Sequence, residues 1–204
     1  VVYGGYDTDY APHSDYVGGV VGLSKGQITN VHVKDGHVEG LRYVGGIVGK
    51  LENDTSFVQK SSFKGVVRGR RNVGGLIGTL EGHVQESFAD VEIFVGINNE
   101  SKNVGGLVGE SNSRVHPSIT KSYAMGIIVP EVEKAASNIG GLVGLNEDGF
   151  VELSYASVDI MSFNQGYFSE CIGGLVGLNK AKISEAYATG NVTGYETVGG
   201  LVGK

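Results

Sequence analysis

The chain has 204 residues and a formal net charge of −6, with 40% hydrophobic and 19% charged residues. That is enough apolar material for a continuous core and excludes a disordered chain. The acidic balance speaks against nucleic acid or an anionic membrane as partners recognised by charge, and no segment has the length or apolarity of a membrane-spanning helix.

Glycine stands at 35, against about 14 at its usual share of ~7%. Residues 1–16 read as an incomplete opening segment or partial rung. From Val17 onward one phrase recurs seven times: an aliphatic residue, two glycines, two aliphatics and a glycine. Its copies are Val17 to Gly22, Val44 to Gly49, Val73 to Gly78, Val104 to Gly109, Ile139 to Gly144, Ile172 to Gly177 and Val198 to Gly203. Their first glycines lie 27, 29, 31, 35, 33 and 26 residues apart. A period in this range marks a solenoid, whose repeats bury their apolar faces only by stacking on one another.

After each phrase and a polar loop comes a second segment, at Ile28 to Val33, Val58 to Phe63, Val84 to Ala89, Ile119 to Ala124, Val151 to Ala156 and Ile183 to Ala188. A third follows around Val38, Val67, Ile93, Ile128, Val158 with Ile160, and Val192. Turn residues separate these runs, and no window has helical apolar spacing. The expectation is an all-β parallel β-helix or β-solenoid spanning 17–204, with about seven rungs, three short strands per repeat and almost no helix. The seven phrases should superpose as one parallel sheet. The chain begins in what reads as mid-strand sequence and stops one residue after the last phrase, so it is expected to be a piece of something longer.

The phrase and stretches such as KISEAYATGNVTGYETVGGLVG (182–203) resemble the GLUG repeat. That family occurs in large bacterial surface adhesins and near the catalytic parts of some immunoglobulin-A-cleaving metallopeptidases. The resemblance implies a non-catalytic scaffold on the bacterial surface or outside the cell. It carries no shared catalytic residues onto this chain.

The residues agree with a chain that is not an enzyme. VGGIVGK (44–50) has Val44 where a phosphate loop needs glycine and Leu51 where it needs Ser or Thr. A dinucleotide fingerprint occurs once, between a strand and a helix, whereas these glycines recur in every rung. None of His13, His32, His37, His83 and His116 precedes a glutamate, so the zinc site of the related peptidases is missing. Cys171, the only cysteine, permits no internal disulfide and reads as a packed thiol. Asp7, Asp9 and Asp15 and Asn146 to Asp148 offer oxygen ligands for calcium, but the nonapeptide calcium repeat is absent. No metal and no cofactor are expected. Arg68, Arg70 and Arg71 around Gly69 read as a solvated turn, and the column Lys60, Glu86, Lys121, Leu153 and Glu185 as solvated surface.

Two features suggest binding. The loops 96–103, 131–138 and 163–171 run to eight or nine residues where other repeats spend three. Asn98, Asn99 and Lys102, then Glu131, Glu133 and Lys134, then Asn164, Gln165 and Tyr167 are expected to form one lip, because insertions at one position of consecutive repeats protrude side by side. Second, the position before the closing small residue of the second segment is His32, Ser62, Phe88, Tyr123, Tyr155 and Tyr187. If the alanines after it point inward, Tyr123, Tyr155 and Tyr187 point outward as a flat platform.

The function expected is therefore a repeat module of an adhesin, either a stalk or a scaffold binding a glycan or protein of a host or neighbouring cell. The alternatives are the scaffold of a secreted immunoglobulin-directed metallopeptidase or other surface enzyme, and a filament subunit that associates end to end through open sheet edges. Neither nucleic acid nor direct membrane insertion is expected.

Overall fold

A computed structural model describes residues 1–3, 15–96, 101–112, 116–130, 136–161 and 170–204. Among them there are only strands, turns and bends, with no helix. All strand pairs are parallel, and they form four sheets, two of seven strands and two of six. The chain is a parallel β-solenoid.

One repeat shows how the sequence builds it. Arg42–Gly45 belongs to the first sheet, Val48–Leu51 to the second, Phe57–Gln59 to the third and Ser62–Gly69 to the fourth. The three-strand expectation is thus corrected to four, with different boundaries, and the sheets do not divide into seven equal rungs. The phrase does not lie in one sheet. It bends at its glycine pair, and its two halves enter different sheets. A Cβ on Gly45 would strike the Val48 carbonyl oxygen, and one on Gly46 would strike the Gly75 carbonyl oxygen and the Phe63 ring. The chain doubles back on itself there while the next repeat packs against it, and only glycine leaves room for both.

The second segment is also split. Lys60, Glu86, Lys121, Leu153 and Glu185 separate its halves, all at φ between 48 and 50°. They make the corner between the third and fourth sheets. Beyond the corner, the second and third segments run together as one strand, as in Ser62–Gly69 and Phe88–Val95. A second left-handed corner precedes each phrase, at Tyr16, Tyr43, Asn72, Asn103, Asn138, Cys171 and Thr197.

Aliphatic side chains from all four sheets fill the interior. In one repeat Val44, Ile47, Val48, Leu51, Val58, Phe63 and Val67 are all fully buried. Phe63 stands in register with Ala89, which in turn stands in register with Ala124. Its larger ring is accommodated because Gly36 and Gly46 leave space beside it.

Buried polar groups run along the axis. Ser61, Ser87, Ser122 and Ser154 each donate from Oγ to the carbonyl two residues back, at 2.8 Å. The same oxygens accept the backbone N–H of Val31, Ser61, Ser87 and Ser122 at 3.1–3.2 Å. Each hydroxyl therefore satisfies a donor that the corner would otherwise leave unpaired.

Candidate functional site

The polar corner before the phrase borders a recess of about 220 Å³. Two aromatic rings open this column: Tyr16 and Tyr43 stack with centroids 5.0 Å apart. The next residues are Asn72, Asn103 and Asn138, which are buried. Asn138 Nδ2 donates to Asn103 Oδ1 at 2.7 Å, and Asn103 Nδ2 donates to Asn72 Oδ1 at 3.0 Å. Asn72 Nδ2 in turn reaches Thr79 Oγ1 at 2.9 Å and the Glu110 carboxylate. Asparagine suits the position because it tolerates left-handed backbone and its amide both donates and accepts. The step from ring to short amide opens the recess, and Tyr43 borders it.

One residue earlier, the register of the first sheet runs Asp15, Arg42, Arg71, Lys102, Ser137, Glu170, Glu196. The three consecutive cations line the recess and are exposed. Glu110, on the second-sheet strand Val108–Ser111, is the one acidic side chain lining it among the described residues. Burial pushes the Glu110 carboxyl above its ordinary range and Glu147 adds to this, while hydrogen bonds from Asn112 and Asn72 and the charge of Lys102 pull the other way.

The arginine reading is corrected here. Arg71 is not in a turn but in the strand Arg71–Gly74, paired with Arg42 on one side and Lys102 on the other. Arg68 lies over the Phe94 ring at 4.6 Å. Lys102 likewise belongs to the strand Ser101–Gly105 and not to a protruding loop, because its backbone pairs with Arg71 and Ser137. The other lip residues, Asn98, Asn99, Glu131, Glu133, Lys134, Asn164, Gln165 and Tyr167, lie outside the described residues. The two columns aligned across the repeats lie in the second segment, away from the basic row. Aligning the position two before each phrase's first aliphatic would have found it.

The aromatic column is present. Phe88, Tyr123, Tyr155 and Tyr187 stack with centroids 4.8–5.0 Å apart and planes within 5°. The neighbouring Ala124 and Ala156 are fully buried. The rings cover one another, so Tyr123 and Tyr155 offer edges and hydroxyls, not open faces. Burial raises the Tyr155 pKa, with Tyr123 and Tyr187 adding to the effect. Of the candidate calcium positions, Asn146 uses its amide inside the fold: Nδ2 donates to the Gly149 carbonyl and to Asn179 Oδ1. Among the described residues no three His, Cys, Asp or Glu side chains group as a metal site.

Four sheets of in-register parallel strands define a repeat scaffold of the β-solenoid class. Residues 168–193 match the family model of the GLUG motif, and this match together with the fold fits a GLUG-repeat β-solenoid. No curated protein and no solved structure matches the chain.

Proposed function

We propose that this chain is a non-catalytic repeat module of a bacterial cell-surface or secreted adhesin, a stalk that also serves as a binding scaffold. What supports the reading is how the repeats use their polar residues. The serine row and the asparagine row are hydrogen-bonded from turn to turn along the axis. Side chains used this way hold neighbouring repeats together, which suits a load-bearing spacer.

Beads carrying the purified chain are expected to retain cells, and the chain is expected to resist pulling along its axis in single-molecule extension. A chain that does neither removes the stalk and scaffold roles. Incubated with immunoglobulin A or common polysaccharides, it should cleave neither. Turnover that survives chelation and disappears with one point substitution would overturn the non-catalytic reading.

A further inference from the structure

Arg42, Arg71 and Lys102 stand directly opposite one another on adjacent strands. Like charges in that arrangement repel. None of the ion pairs among described side chains involves these three residues. Elsewhere the fold neutralises such groups: Lys50 bridges Glu52 and Glu81 at 3.0 and 2.9 Å, and Lys64 pairs with Asp90 at 2.8 Å. The basic row is thus a concentration of positive charge in an acidic molecule, set on the border of a recess.

We infer that this recess binds an acidic polysaccharide, with Arg42, Arg71 and Lys102 pairing with acid groups on successive sugars and Tyr43 bordering the site. Charge and layout suit this ligand. Adjacent strands are about 4.8 Å apart, so the three exposed cations form a short line that one linear polyanion can follow with several acid groups at once, and Tyr43 borders that line. The guanidinium groups of Arg42 and Arg71 match carboxylate or sulfate with paired donors. Carboxylate and sulfate share this chemistry, so uronic-acid chains and sulfated glycans are both candidates. Glu110 opposes the ligand while ionised and sets a limit on affinity.

The inference rests on the reading of this chain as a binding scaffold and gives that scaffold a ligand class. Calorimetric titration of the full chain tests it, with an oligogalacturonate and a sulfated glycosaminoglycan oligosaccharide as separate probes and a neutral oligosaccharide as control. Binding to at least one acidic probe is expected, none to the neutral one, with weakening as salt rises to about 0.15 M. Binding to one acidic probe alone assigns the acid group. Arg71→Gln with Lys102→Gln should lose about tenfold or more in affinity at an unchanged melting temperature, and Glu110→Gln should bind tighter than the parent.

The site is overturned if neither acidic probe binds, or if the double variant binds as well as the parent. Equal or tighter binding of polyglutamate or an oligonucleotide at these residues would overturn the glycan assignment. If the site fails while coated beads still retain cells, the scaffold function stands. If an acidic glycan is bound and then cleaved, the site stands and the non-catalytic reading falls.

Discussion

Leu153 occupies the exposed corner between the third and fourth sheets at φ 50°, where its neighbours in the column are lysine and glutamate. Left-handed backbone costs a residue with a Cβ about 1–2 kcal/mol, and asparagine tolerates it better. Leu153 is 45% exposed, so the packing it gives up is partial, and Leu153→Asn should stabilise the protein by up to about 1 kcal/mol. Urea denaturation that showed a loss would mean that Leu153 makes contacts its exposure does not suggest. The glycines of the phrase answer to space instead. A Cβ on Gly105 would meet the Val108 carbonyl oxygen, and one on Gly106 would meet Ala124 Cβ at 2.9 Å and the Gly141 carbonyl oxygen. Two valines there should cost about 3 kcal/mol or more. An unchanged melting temperature in that double variant would contradict the close approach of the two halves of the phrase.

The ladders work at the scale of the element. In the fourth sheet the stacked rings run in register from Phe88 to Tyr187, through three ring–ring contacts. Each such contact contributes about 0.5–1.5 kcal/mol beyond simple burial. Replacing Tyr123 and Tyr155 together by alanine removes all three, so a loss of about 2–4 kcal/mol is expected in denaturant titration, along with the near-ultraviolet circular dichroism of the coupled phenols. Retention of both stability and signal would show that the stack does not hold the repeats together. The aromatic row was legible in the sequence because one position recurs after each phrase. Its mutual stacking was not, because nothing in a single strand specifies the ring planes. The corners were half legible. Three asparagines before the phrase are a signal for left-handed backbone, but at the other corner only Asn30 gives that signal, and the lysines, glutamates and leucine of the later repeats carry none.

For the whole molecule, stability should behave as a sum over neighbouring turns. Removing residues 104–138 takes out one full period and joins Asn103 to Ile139, so a left-handed asparagine still precedes a phrase. That shortened chain should fold with unchanged β-type circular dichroism and a smaller denaturant slope, in proportion to the surface lost. Removing only 104–121 would join a first-sheet strand to a fourth-sheet strand and leave neighbouring repeats out of register. It should lose cooperative unfolding. Equal folding of the two deletions would argue against a register-locked stack.

The sequence by itself determined the parallel stacking, the inward alanines and the outward aromatic row. A phrase repeated at near-constant spacing places like residues above like, and strand alternation decides which way they face. Tertiary structure alone decided the division into four strands and the bend of each phrase between two sheets. Those depend on where backbones approach too closely for a Cβ, as at Gly45 and Gly105. It also decided the basic row, because Arg42, Arg71 and Lys102 lie a full turn apart in the chain and become neighbours only when parallel strands pair.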